Sequence, residues 1–151
     1  MALITNFRAR LKCPNCGHES TAWLYSTLGQ RGATYEVGDC PGDDIQPIDF
    51  DETSFSVRRP YPGEPIHMLM SWTCENCQQS SFGEVVFENS CVRTIRQVDL
   101  DPDTLARLHY ISADLEDRLE TIIGEKVYTD SELRPDWLPV LRRALDEGKR
   151  W

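Results

Sequence analysis

Two short segments of this 151-residue chain carry thiols at a spacing that grips a metal: Cys13-Pro14-Asn15-Cys16 and Cys74-Glu75-Asn76-Cys77. A C-x-x-C turn puts two sulfurs on one side of a tight bend. Two such turns supply four thiolates, the full tetrahedral set of a structural zinc ion. Cys13, Cys16, Cys74 and Cys77 are therefore the predicted ligands of one structural Zn²⁺, with iron in an S₄ site as the rival metal. Four protein ligands leave no coordination position for a substrate, so this chemistry staples a scaffold and does not run a reaction at the metal. Gly17, just after the first pair, permits the positive φ that turns backbone N–H groups toward the sulfurs.

Little else has the spacing of a reactive site. His18 sits two residues after Cys16, but the thiolate set is already complete without it. His67 and His109 have no partner at ligand or triad spacing and read as ordinary core or surface histidines. Cys40 and Cys91 are left over and read as small buried apolar residues. No nucleotide-binding glycine loop, G-x-S-x-G elbow or H-E-x-x-H helix occurs. No catalytic residue is predicted, and an enzyme of unidentified chemistry is kept only as the third reading.

The two knuckles and their flanks, about residues 7–28 and 68–98, resemble the zinc-ribbon superfamily. That resemblance implies two β-hairpins whose turns share one Cys₄ metal site. It leaves function open, because ribbons occur in transcription factors, ribosomal proteins, enzyme appendages and adaptors. The chain departs from the simplest pattern twice. Fifty-seven residues separate the knuckles, and Gln78 stands after the second pair where a Gly is usual.

The elements that must position these thiols are strands. Residues 3–12 alternate, with Phe7, Ala9 and Leu11 on one face and Arg8, Arg10 and Lys12 on the other. Residues 21–25 leave the first knuckle. Residues 68–72 enter the second and 82–87 leave it, with a further strand at 91–98. The expected fold class is α+β: an antiparallel sheet of four to six strands built on the ribbon, followed by a C-terminal helical pair. The strand region spans 1–99, with an acidic insertion at about 29–66, and the helical segment spans 100–151. Between Gly32 and Val57 there are seven acids and no Lys or Arg, with Pro41-Gly42 and Pro47 as breakers; Tyr35–Asp39 reads as a short strand and turn. From Asp101, an N-cap followed by Pro102, apolar residues recur at steps of three and four (Leu105, Leu108, Ile111, Leu115, Leu119, Ile122). They predict one helix of about 22 residues ending at Gly124, with a second helix beginning near Pro135 or Pro139.

Composition narrows the partners. The formal charge is −9; four thiolates with one divalent ion bring it to about −11. Such a field repels nucleic acid unless a local basic patch overrides it. The N-terminal residues lack the pattern of a secretory signal, and no apolar run approaches a membrane span. Six cysteines without a signal fit a reducing, cytoplasmic compartment and metal rather than disulfides. The leading expectation is a non-catalytic module that binds a basic protein, as an adaptor or an inhibitor of the immunity-protein or antitoxin kind. Its contact surface is Asp43, Asp44, Asp49, Asp51 and Glu52. The alternative is a transcription- or RNA-associated ribbon contacting nucleic acid through Arg8, Arg10 and Lys12. A homodimer through the helix at about 102–123 is the remaining partner expectation.

Overall fold

A computed structural model describes residues 5–26, 33–42, 50 and 54–150. The five acidic residues expected to contact a partner, Asp43, Asp44, Asp49, Asp51 and Glu52, lie outside them.

Ten strands and three helices are formed by the described residues. Strands β1 (Thr5–Lys12) and β2 (Glu19–Ser26) make the first hairpin, paired antiparallel from Thr5↔Ser26 to Lys12↔Glu19. Strands β5 (Ile66–Thr73) and β6 (Ser80–Glu88) make the second, and β7 (Cys91–Val98) continues it. All five cover the segments expected to be strands, although only that of β1 was read from alternation. Short β3 (Thr34–Tyr35) runs parallel to β1. It is followed by a turn at Val37 and Gly38, closed by Asp39 N–H to Glu36 C=O at 3.0 Å.

The sheet is larger and less uniform than expected. Its order is β3-β1-β2-β5-β6-β7, with β4 (Ser54–Ser56) and β8 (Tyr110–Ser112) attached beside β5. Two pairings are parallel, β1 with β3 and β5 with β8, so the sheet is antiparallel-rich rather than purely antiparallel. One edge of β5 is divided: Ser71 meets Tyr25 of β2, while Met68 and Leu69 meet Tyr110 and Ile111 of β8. The sheet also curls back on itself. Past β3, Gly38 N–H bonds Val92 C=O at 2.8 Å and Val92 N–H bonds Asp39 C=O at 2.7 Å, joining the β3 end to β7.

That closure corrects the reading of the spare cysteines. Cys40 is exposed and Cys91 half-buried, and they form a disulfide across 51 positions of sequence. Each adjoins a residue of the closing bonds, Asp39 or Val92, so curling of the sheet brings two distant thiols together. The expectation of metal chemistry and no disulfides therefore fails for this pair.

Curling creates an inside and an outside, each with its own core. Phe7, Leu24, Met68, Met70, Trp72, Val85 and Phe87 fill the inside. Outside, Leu69 and Phe82 meet the C-terminal helices. β6 is buried on both faces from Ser81 to Phe87. Gly83 has no room for a side chain: a Cβ there would lie 2.3 Å from Leu24 Cδ2.

The single long helix is corrected to two short ones. Helix α1 (Pro102–Arg107) starts as expected, with the Asp101 carboxylate accepting from Thr104 N–H at 2.8 Å. It stops at Leu108, whose backbone is extended. The chain then forms β8, a 3₁₀ turn (Ala113–Leu115) and helix α2 (Glu116–Ile123), which ends on left-handed Gly124. Pairing won over period here. His109 N–H bonds His67 C=O at 2.9 Å, and β8 fills the open part of β5's edge. Leu105, Leu108, Ile111, Leu115, Leu119 and Ile122 are all buried in the chain's own core, so the continuous apolar seam that the homodimer expectation relied on is absent. Helix α3 (Trp137–Asp146) starts between the two expected prolines and packs Trp137, Leu141, Ala144 and Leu145 inward. A small hairpin of β9 (Tyr128–Thr129) and β10 (Glu132–Leu133) precedes it. No described helix is long and apolar enough to cross a membrane.

Candidate metal centre

The two hairpins deliver their turns to one point. Cys13 directly follows β1 and Cys74 directly follows β5; both are buried, whereas Cys16 is exposed and Cys77 half-buried. All four Sγ atoms lie within 4.8 Å of one another. The Cys13–Cys77 and Cys16–Cys74 sulfur separations are both 3.7 Å. Four sulfurs at about 2.3 Å from a tetrahedral centre stand roughly 3.8 Å apart, so the cluster has the dimensions of a four-thiolate metal site. These four residues, predicted from spacing alone, are brought together and can hold one metal ion.

Each knuckle is the same folded object. In the first, Cys13 N–H bonds His18 C=O and Gly17 N–H bonds Cys13 C=O, both at 2.9 Å. In the second, Cys74 N–H bonds Gln79 C=O at 3.0 Å and Gln78 N–H bonds Cys74 C=O at 2.9 Å. The turn demands a left-handed residue after the second cysteine. Gly17 adopts φ 75° at no steric cost; Gln78 adopts φ 61°, and its Nε2 donates to Glu75 C=O at 2.9 Å. A local side-chain bond thus accompanies the absence of the expected glycine.

Sequence reasoning passed over two residues here. Asn15 Nδ2 donates to Cys77 Sγ, and Asn76 Nδ2 donates to Cys16 Sγ, each at 3.5 Å. The relation is reciprocal: each knuckle's asparagine reaches a sulfur of the other. The signal was in the sequence, because both knuckles read C-x-N-C. These donors favour thiolate. The Asn76 amide, then the backbone bond from His18, hold the Cys16 thiol down at about 6. The Asn15 amide and the Gln79 backbone lower Cys77. At Cys74 the backbone bond from Cys77 also favours thiolate, but burial and the Cys16 and Cys13 sulfurs push the thiol up to about 11. Four crowded thiols thus resist full ionisation on their own, and a divalent cation among them removes that conflict. His18 is no part of the cluster; its Nε2 faces Glu75 Oε1 at 3.7 Å.

The basic face of β1 is largely neutralised. Arg8 pairs with Glu36 and lies over the Trp23 ring, 5.3 Å from its centroid. Arg10 Nε lies 3.4 Å from Glu19 Oε1. Trp23 and Tyr25 stand on the same outward face and remain exposed.

A second cluster was not legible at all. Glu84, in the middle of β6, has a fully buried side chain held by three partners. Arg96 Nε lies 2.9 Å from its Oε1, Arg107 Nε 3.0 Å from its Oε2, and His67 Nδ1 2.8 Å from its Oε2. Burial opposes ionisation, but the bonds from Arg107, His67 and Arg96 prevail and lower its pKa. A carboxylate can only accept, so His67 carries its proton on Nδ1. Alongside, buried His109 accepts the His67 backbone N–H on Nδ1 at 3.0 Å and meets Glu64 Oε1 through Nε2, also at 3.0 Å. Arg58 grips Glu64 through both Nη groups, at 3.0 and 3.2 Å. That grip, and the Tyr61 backbone N–H, hold the Glu64 carboxyl down at about 2. The reading of His67 and His109 as partnerless is corrected: their carboxylates are remote in sequence and arrive from a loop and a neighbouring strand.

No protein-family model matches this sequence, and neither a curated protein nor a solved structure matches the chain. The assignment of Cys13, Cys16, Cys74 and Cys77 to a candidate metal centre rests on their own geometry.

Proposed function

We propose that the four cysteines hold one structural Zn²⁺ in a zinc-ribbon arrangement, and that the protein acts without catalysis at that metal, by binding another protein. The observation that carries the reading is the cluster of four cysteine sulfurs at the turns of two hairpins, a set that would fill every position of a tetrahedral ion. Zinc is preferred to iron because it needs no redox partner and takes the tetrahedral thiolate set without electronic preference. The pairing of Arg8 with Glu36 and Arg10 with Glu19, in a chain of net charge −9, supports a basic protein as partner rather than a nucleic acid. An inhibitor of the immunity or antitoxin kind, or an adaptor, fits that chemistry.

Elemental analysis of purified protein should give close to one zinc per chain. Capture of the natural partner should be fast and should slow with added salt. Replacing Asp43, Asp44, Asp49, Asp51 and Glu52 together by their amides should lower the association rate at least tenfold. An unchanged rate would remove the acidic segment from the contact.

One observation favours a second reading. Trp23 and Tyr25 are exposed two residues apart, on the face that also carries Arg8 and Arg10. Aromatic rings beside arginines can stack the bases of single-stranded RNA. Under this reading, a single-stranded oligonucleotide should quench Trp23 fluorescence at submicromolar concentration, and Trp23→Ala should abolish binding. No binding at low salt eliminates it.

A further inference from the structure

We propose that Arg96, Arg107 and His67 form a binding site for a phosphate group, held in position by the buried carboxylate of Glu84. The inference is independent of the metal centre and goes beyond the protein-binding reading.

The starting point is an asymmetry of burial. The Glu84 side chain is 0% exposed, yet Arg96, Arg107 and His67 are 54%, 35% and 26% exposed. Neutralising a buried acid gives no reason for the acid to be there, since an apolar side chain on β6 would serve packing as well or better. What the carboxylate does achieve is to anchor two guanidinium groups and an imidazole side by side. Bonds of 3.0 and 2.8 Å to the shared oxygen Oε2 limit the separation of Arg107 Nε and His67 Nδ1 to about 6 Å. Bonds of 3.2 and 2.9 Å to Oε1 limit that of the Arg107 and Arg96 Nε atoms similarly. Without Glu84, two like charges at this separation would repel one another.

Donors remain after the anchor is satisfied. Arg107 bonds Glu84 through Nε alone, so its two Nη groups have no hydrogen-bond partner among the described residues. Arg96 approaches through Nε and Nη2, which leaves Nη1. His67 engages through Nδ1, which leaves Nε2. Two arginines against one carboxylate give a local formal charge of +1 in a chain of −9. The nearby Asp101 carboxylate senses Arg107 but is committed to capping α1. Arg58 and Glu64 neutralise each other next door.

Guanidinium forks bind tetrahedral oxyanions bidentately, and phosphate offers more acceptor oxygens and more charge than a carboxylate. The acidic field of the whole chain disfavours a polyanion, so the ligand is small: inorganic phosphate or a phosphate monoester.

The test uses the metal-loaded full chain, with Arg Nε–H and His ring NMR signals followed during titration with inorganic phosphate, sulfate and acetate at constant ionic strength. The expected result is saturable shifts at Arg96, Arg107 and His67 with phosphate, and at least tenfold weaker binding of acetate. Arg107→Lys keeps a charge for Glu84 but loses the fork; it should weaken phosphate at least tenfold at unchanged melting temperature. Arg142→Gln, on the exposed side of α3, should change nothing. A nucleoside monophosphate that binds more tightly than phosphate identifies an ester as the source, and equal affinity identifies the free ion; both uphold the site. Non-saturating shifts, or shifts equal for acetate and phosphate, overturn it on the natural sequence alone. Unchanged phosphate affinity in a folded Arg107→Lys protein overturns it too.

Discussion

Asn15 and Asn76 each donate to a sulfur held by the opposite hairpin, so the candidate metal centre is tied together by side chains outside the cysteine cluster. Removing such an outer partner typically weakens metal binding 10- to 100-fold. Asn15→Ala and Asn76→Ala should therefore each lower metal affinity about tenfold, by similar factors, in competition with a chromophoric chelator. On the proposed metal reading, Cys74→Ser removes a ligand and should cost about 4 kcal/mol or more, the range characteristic of metal loss. Loss of the bound metal with an unchanged melting temperature would show that the site does not stabilise the fold. His109 gives a pH prediction with a definite sign. Burial lowers its pKa, and the His67 N–H occupies the nitrogen that a second proton would need. The unfolded chain takes up that proton near pH 6.5, whereas the folded chain resists it. Stability from this residue is thus complete above about pH 6.5 and falls as pH drops toward the folded-state value. His109→Gln can keep both hydrogen bonds without titrating. Its melting temperature, measured with excess zinc, should fall less between pH 7.5 and 5.5; an equal fall would assign the effect elsewhere.

Strands and helices differed in how far they could be read from sequence, for reasons that particular residues make plain. β1 was legible because it is covered on one face, so Phe7 and Leu11 alternate with Arg8 and Arg10. The knuckles were legible because their turn chemistry is local, down to the left-handed position filled by Gly17 and Gln78. The break between α1 and α2 was not, because Leu105, Leu108, Ile111, Leu115, Leu119 and Ile122 are buried whether the chain between them is helix or strand. What decides is a vacancy on the edge of β5, some forty residues earlier in sequence, and no local pattern reports it. The histidine–carboxylate clusters were hidden for the same reason. β6 shows what this doubly covered geometry costs in tolerance. Gly83→Ala would thrust a methyl against Leu24, and overpacking of this kind costs about 1–3 kcal/mol. A lowered urea midpoint at unchanged slope should record it. An unaltered midpoint would mean that Leu24 has room to move.

On the scale of the whole molecule, two devices join parts that are distant in sequence: the thiol cluster and the Cys40–Cys91 disulfide. The disulfide closes a loop of 51 residues where β3 and β7 meet. A cross-link of that span restricts the unfolded chain by about 4 kcal/mol on a chain-entropy account. A Cys40→Ser, Cys91→Ser double variant should unfold at correspondingly lower denaturant, and a mild thiol reductant should shift the natural protein toward the same midpoint. If reduction leaves the natural protein unshifted, the bridge contributes nothing to stability.

The two cross-links overlap along the chain, and this has a consequence for the integrity of the backbone itself. Any single peptide bond broken between Cys40 and Cys74 leaves Cys13, Cys16 and Cys40 on one piece, with Cys74, Cys77 and Cys91 on its companion. A protein clipped once in that stretch would keep both pieces together through the disulfide, and with metal bound through the sulfurs as well. Such a clipped form should run as one band in a denaturing gel without reductant and as two with it. Under native conditions neither reductant alone nor chelator alone should separate the pieces.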